Sequence, residues 1–474
     1  LNVENNATRI RRRRLIRLAK LAMTGQIDGN VDRLPVMMYP RRGGDVRCCV
    51  HKDRAVTRYR LMALMGHRVE DETDELTPLS DYARRARERD AAPEGPMLTV
   101  IDEACSACVR KNYFVTNACQ GCLARPCAVN CPKDAIEFVD GQARINEEKC
   151  VNCGLCQKVC PYHAVVYMPV PCEEACPVGA ITKDETGKEE IDPEKCIACG
   201  KCMTACPFGA VMERSHLLDV IEAIRDGRKV TAMLAPALAG QFPDGMAKLV
   251  TAVRELGFND VVEVAEGAAM TAHHEAGELR ERLEQGEPFM ATSCCPAWVE
   301  TVRKHVPELA DKISETPSPM HYTAAEVRKR DPEAVTVFVG PCAAKRHEAS
   351  GDDAVDYVLT TEELGAMLVA AGVEVSECAE ADLETIRGEA RGFATTGGVT
   401  EAVKTAGAEV ANLNPVTIDG LDKKTIKQLK AYARGKAPGN FVEVMCCEGG
   451  CVGGPCSIEK TAPAARRVKK FAEK

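Results

Sequence analysis

The sequence predicts small α+β units in its first half and a two-lobed α/β domain after them. Three observations carry that expectation. Sixteen of the 26 cysteines fall between residues 96 and 212. Short β-branched stretches at 135–138, 143–145, 180–182 and 210–212 flank the cysteine runs. Beyond residue 213, amphipathic helical stretches (215–226, 244–256, 298–305, 361–371) alternate with apolar runs at 230–234 and 335–339. That alternation favours parallel sheets covered by helices.

The remaining composition sets limits. A chain of 474 residues suggests about three domains. Hydrophobic residues make up 45% and aromatic ones only 4%, so aliphatic packing must fill the cores. A net charge of -8 argues against a general nucleic-acid binder. No apolar run reaches the ~18–20 residues of a membrane span. The sequence starts at Leu1 rather than Met, which leaves its natural start open.

Residues 1–95 form a basic, mostly helical region without a cluster motif. Its stretch 9–20 carries Arg9, Arg11, Arg12, Arg13, Arg14, Arg17 and Lys20, and lacks the apolar core of a secretory signal. It reads as a solvated helix face, with a docking surface for an acidic redox partner as the alternative. Cys48 and Cys49 are adjacent and read as structural or incidental. Residues 56–69 read as a helix and 70–95 as a polar linker.

The cysteine spacing names a chemistry. Cys150, Cys153, Cys156 and Cys160-Pro161 follow C-x2-C-x2-C-x3-C-P, as do Cys196, Cys199, Cys202 and Cys206-Pro207. Cys119, Cys122, Cys127 and Cys131-Pro132 form a variant with one longer gap. This spacing belongs to [4Fe–4S] ligation, in which the Cys-Pro cysteine serves the other cluster of a pair. With the flanking strands it is the rhythm of bacterial ferredoxins, appearing twice, with domains expected at 96–168 and 169–212. Crossed pairing gives Cys119, Cys122, Cys127 with Cys160, and Cys150, Cys153, Cys156 with Cys131. Cys196, Cys199 and Cys202 then join Cys176. Cys105, Cys108, Cys172 and Cys206 remain for a fourth cluster, where zinc or no metal stays open. Three to four accessory clusters in a row make an electron wire. Iron-binding thiolates must stay reduced, so a cytoplasmic location is expected.

Three further motifs occur downstream: Thr292-Ser293-Cys294-Cys295-Pro296-Ala297-Trp298, Gly340-Pro341-Cys342-Ala343-Ala344-Lys345-Arg346-His347-Glu348, and 443–454 with Cys446, Cys447 and Cys451. Together they resemble the three signature motifs of [FeFe]-hydrogenases. Ala235-Pro236-Ala237, Thr396-Gly397-Gly398-Val399 and the helix around Glu275 support the likeness. The resemblance implies α+β ferredoxin-like iron–sulfur domains followed by a two-lobed α/β iron-hydrogenase catalytic domain over 213–474. It implies an H-cluster, a [4Fe–4S] cube joined to a two-iron unit with CO, cyanide and azadithiolate. Cys295, Cys342, Cys447 and Cys451 would hold the cube, with Cys451 bridging. Cys294 would pass protons, and Lys345 would hold a cyanide. Glu275, Glu278, Ser314 and Glu348 align with or near proton-transfer positions, and Ala235, Pro236 and Pro341 with the cofactor wall.

The implied activity is reversible interconversion of H2 with protons and electrons. It would work with a ferredoxin-like carrier, maturation factors for the two-iron unit, no nucleic acid and no membrane span. A hydrogen-sensing regulatory hydrogenase and a non-catalytic hydrogenase-like iron–sulfur carrier are the rival expectations. The sequence departs from the family pattern at Gly340, where Met is usual, at Cys446, where a small residue is usual, and at Pro455-Cys456.

Overall fold

The computed structural model describes residues 5–42, 46–109, 112–383, 388–407 and 413–473. Among them, four antiparallel two-stranded ribbons organise the cysteine-rich region. Ile136–Val139 pairs with Gln142–Ile145, and Ile181–Lys183 with Glu189–Ile191. Tyr113–Val115 pairs with Val165–Tyr167, and Leu98–Val100 with Val211–Glu213. The strands Leu98–Val100 and Tyr113–Val115 lie outside any cysteine run, so spacing did not mark them.

Beyond residue 213 the described residues form two all-parallel sheets. The larger has the order Asp260–Glu263, Val230–Leu234, Val335–Gly340, Tyr357–Thr360. The smaller has the order Met290–Ala291, Phe441–Met445, Pro415–Asp419. Strands Val230–Leu234 and Val335–Gly340 are buried at every position, as central parallel strands with both faces covered should be. Parallel pairing puts all the carboxyl ends of a sheet on one edge. Residues 235–236, 341–342, 292–295 and 446–447 leave those edges directly. Loops at such edges are where open parallel sheets bind ligands.

The helix Ala265–Glu284 flanks this region. Its buried stripe is made of small residues, among them Ala265, Gly267, Ala268, Ala272 and Ala276. A Cβ on Gly267 would stand 2.2 Å from the Pro319 carbonyl oxygen, so only glycine admits the helix Pro319–Arg330 this closely. That approach brings Glu275 and Glu278 against the segment 314–318.

Two expectations for the N-terminal region are corrected. The basic helix, Asn6–Met23, is not a solvated face. Leu15, Leu18, Ala19 and Ala22 are buried in one core with Leu218, Leu364 and Leu368. Arg11 and Arg12 both bind Glu362, and Arg14 is 3% exposed. Residues 70–95 are not a linker, because the helix Leu79–Arg87 buries Leu79, Tyr82, Ala83 and Ala86. Arg89 also clamps Asp219 at 2.9 Å. Charge density misled in both places, since several of these charges are paired inside the fold. The helix expected at 56–69 runs Val50–Leu64.

Arg346 joins these parts. Its side chain is 0% exposed, binds Glu363, and lies 3.3 Å from Glu213. Removing one partner of a buried ion pair strands the other charge at a cost of ~3–5 kcal/mol. Arg346→Met should therefore lower the stability of the full chain by about that amount. Urea denaturation followed by circular dichroism measures it, and a change within ~0.5 kcal/mol would show that Arg346 is energetically neutral.

Candidate functional site

Four groups of thiols line the cysteine-rich region. Cys119, Cys122, Cys127 and Cys160 surround one small apolar cavity. Cys131, Cys150, Cys153 and Cys156 surround a second, and Cys176, Cys196, Cys199 and Cys202 a third. Burial pushes the Cys172 thiol up to about 12, with Cys206 and Cys108 adding to it. Burial also raises Cys108, and Cys105 and Cys206 act on it too, so the fourth group is brought together as well.

The loops share one conformation. The residue before the second cysteine of each group's first C-x2-C is left-handed: Ala107 at φ 47°, Gly121 at 56°, Asn152 at 54° and Ala198 at 54°. For alanine this costs roughly 1 kcal/mol and persists only where surroundings impose it. The turn aims backbone N–H groups at sulfur: Ala198 N–H donates to Cys196 Sγ at 3.4 Å, and Asn152 N–H to Cys150 Sγ at 3.5 Å. Among the described residues no three potential ligands converge tightly enough to hold a single ion. Thiols standing around a cavity fit a four-iron cube better than zinc.

A fifth group lies where the two parallel sheets end. Cys295 and Cys447 come from the smaller sheet's edge, Cys342 from the larger sheet's edge, and Cys451 from the third motif's 3-10 turn Cys451–Gly453. Burial raises Cys295 to about 11 and Cys451 to about 12, and each also feels Cys447. Cys342 is raised by burial and then by Cys447, Cys451 and Cys295. The first-motif loop is held by Trp298, 0% exposed, whose indole N–H donates to Thr292 O at 2.9 Å. Glu443 straps the third motif's strand to 396–400: Gly397 N–H donates to it at 2.7 Å and Thr400 Oγ1 at 2.6 Å.

Lys345 sits beside this group on the short helix Ala344–Ala349. Its Nζ donates to Glu348 Oε2 at 2.6 Å and Ser318 Oγ at 3.1 Å, and lies 5.9 Å from the Phe338 ring centre. Burial pulls its pKa down, but Glu348, Cys342 and Cys294 outweigh that and leave it raised. Ala235 and Pro236 follow Leu234 at the same edge, and Pro341 O accepts from Cys456 N–H at 3.2 Å. A Cβ at Gly340 would meet the Phe338 ring at 2.9 Å and Ala235 Cβ at 3.1 Å, which explains glycine where Met is usual.

Cys294 opens a polar line. Burial raises its pKa well above the usual thiol value, with Glu275 next in effect, so it stays a thiol. Glu275 is 0% exposed, and burial pushes it up to about 8. Ser293 N–H donates to its Oε1 at 3.1 Å, while its Oε2 has no partner among the described residues. Ser293 Oγ also donates to Thr316 O at 2.5 Å. Thr316 Oγ1 and Ser314 Oγ donate to Glu278 at 3.0 and 2.5 Å. Burial would raise Glu278, but Ser314, Glu315 N–H, Thr316 and Arg282 together hold it below the ordinary range. Arg282 is 2.7 Å away.

Thus the structure gathers Glu275, Glu278 and Ser314 on one line and sets Glu348 apart, on Lys345. Sequence reasoning missed Ser293, Thr316 and Ser318. Ser293 lies inside the first motif, but the other two had no signal beyond ordinary loop composition.

The family described as iron only hydrogenase large subunit, C-terminal domain, matches residues 228–455. A 4Fe-4S dicluster domain matches 171–210 and a 4Fe-4S binding domain 143–166. Iron hydrogenase 1 of Clostridium pasteurianum is 32% identical over 385 residues, covering 68% of this chain and 66% of that protein. The periplasmic [Fe] hydrogenase large subunit of Nitratidesulfovibrio vulgaris is 30% identical over 384 residues, covering 68% of this chain and 86% of that protein. A cytosolic Fe-S cluster assembly factor of Kluyveromyces lactis is 32% identical, but over 93 residues, 19% of this chain. The chain therefore belongs to the iron-only hydrogenase large-subunit family, and it carries 4Fe-4S ferredoxin domains ahead of the hydrogenase domain.

Proposed function

We propose that this chain interconverts H2 with protons and electrons at an H-cluster held by Cys295, Cys342, Cys447 and Cys451. The convergence of these four thiols with Cys294 and Lys345 carries the reading. When bound, the H-cluster supplies the redox chemistry on H2. The chain's own residues enclose it and deliver its charges. Lys345 would offer a buried ammonium to a cyanide of the bound group, and Glu348 and Ser318 fix where that ammonium points.

Cys294 and Glu275 carry protons on the inside and Glu278 on the outside; Ser293 bonds Glu275 and the Thr316 carbonyl, Thr316 Oγ1 bonds Glu278, and Ser314 holds Glu278. Cys294 and Glu275 keep their protons near neutral pH, whereas Glu278 is ionised and beside Arg282. That order suits exchange between a buried donor and the surface. The four thiol groups of the cysteine-rich region would hold three to four accessory [4Fe–4S] clusters, which would supply the electron path to the cube. Cys446 packs in one core cluster with Cys199 of the third group and precedes Cys447, which puts that group next to the cube as the last station. A ferredoxin-like carrier is the outside partner, and maturation factors supply the two-iron unit. A cytoplasmic location rests on the reduced thiols alone, and one relative carries a periplasmic name. An assembly-factor role would leave Cys294 and Lys345 without a purpose.

Infrared spectroscopy of matured protein, with H2 turnover, tests the reading. CO and cyanide bands are expected in the wild type. In Lys345→Met these bands should be weak while the cube remains, since a charge-assisted bond worth roughly 1.5–3 kcal/mol is gone. Full bands and normal turnover in that variant would make Lys345 structural only.

Cys294→Ala should keep the bands and lose turnover by at least ~10²-fold, the usual scale of a lost proton-transfer group. If the bands vanish instead, Cys294 is a ligand and the relay is wrong.

Glu275 gives a pH signature. Its folded pKa lies above its unfolded one, so the stability tied to its proton is full below about 4.5 and is lost as pH rises through about 8. A protonated-carboxyl infrared band should be present at neutral pH, bleach as pH rises past about 8, and be missing in Glu275→Gln. A wild type without that band at pH 6 would show Glu275 ionised and unable to donate.

A further inference from the structure

We infer that the chain carries a binding site for a small phosphate-bearing anion, apart from the thiol groups, in the cavity between its N-terminal helix and the Cys206 loop. This inference does not depend on the activity proposed above. The cavity measures about 440 Å³, the size of small-molecule sites. Arg11, Arg12, Arg14, Arg60 and Lys460 line it. Two carboxylates share the wall, and both are engaged. Glu362 takes Arg11 and Arg12, and Glu459 is 3.0 Å from Arg467.

Arg14 and Arg60 are left over. Arg14 is 3% exposed and reaches only Tyr39 Oη at 3.3 Å and Thr57 Oγ1 at 3.5 Å. Its Nε has no partner, and Asp53, the carboxylate that acts on both Arg14 and Arg60, makes no ion pair with either among the described residues. Among the described residues Arg60 donates only to the carbonyls of Phe208, at 2.6 Å, and Gly209, at 3.0 and 3.2 Å. Buried cations normally have an anion, because an uncompensated charge in the interior is costly. Guanidinium forks match phosphate oxygens two at a time, and several forks can share one phosphate. Met203, Met212 and Ile458 give the cavity an apolar wall for the rest of such a ligand. A cluster on Cys206 would itself be negative, and Arg60 bonds the carbonyls beside it. Arg14 bonds nothing there, so the cluster alone leaves it uncompensated.

Calorimetric titration of the full chain with pyrophosphate and with AMP tests this. One site per chain is expected. Binding should weaken about tenfold or more in Arg14→Gln and less in Arg14→Lys, while Arg13→Gln, on the exposed side of the same helix, leaves it unchanged. Iron content and circular dichroism check the fold, and Arg60→Gln serves if Arg14→Gln does not fold. No binding of either probe at about 1 mM, or equal affinity in Arg14→Gln, overturns the site. So does an Arg14→Gln variant that shifts a cluster's midpoint potential while no anion binds in the wild type, since the guanidiniums would then serve the cluster.

Discussion

Arg346 is a guanidinium sealed between two buried carboxylates, and the relative placement of the chain's parts depends on it. Glu363 caps the helix Thr361–Ala371 through Thr360 N–H and also takes Ser215. Glu213 ends the strand that pairs with Leu98–Val100, and accepts Cys456 Sγ at 3.1 Å. The neighbouring Glu362 takes Arg11 and Arg12. One cluster of charges thus ties the second motif, the third motif, a ferredoxin strand and the N-terminal helix. Buried ion pairs add little net stability compared with apolar packing, but they penalise any arrangement that separates them. Arg346 follows Lys345 on the same short helix, so this constraint also fixes where the Lys345 ammonium stands.

The departures from the family pattern have local causes. Gly340 answers crowding by Phe338 and Ala235. Pro455 sits where a Cβ on Gly200 would come within 2.9 Å, and Cys456 is fully buried against Glu213. Both seat the third motif on the cysteine-rich region. Cys446 is buried in one core cluster with Cys199, beside the third thiol group.

Spacing and periodicity made a good deal legible. The strands at 230–234 and 335–339, the helix at 361–371 and the grouping of cysteines around common cavities follow from local pattern alone. What was hidden depends on distant partners. Leu98 and Tyr113 join strands more than 50 residues away. The N-terminal arginines read as solvated because their carboxylate, Glu362, lies on a helix far along the chain. Ser293, Thr316 and Ser318 gain meaning only when the close approach at Gly267 sets one helix against the segment before another.

Chain distance also governs how the molecule is made. Thr292 and Val444 are hydrogen-bonded across 152 residues of sequence. Parallel pairing of such remote segments closes late, because a long loop must be ordered before any contact rewards it. The ribbon at 136–145, by contrast, closes over a handful of residues. During synthesis the amino-terminal thiols can gather while the rest of the chain is still unmade. The last group cannot close until Cys451 has emerged from the ribosome, after Cys295, Cys342 and Cys447.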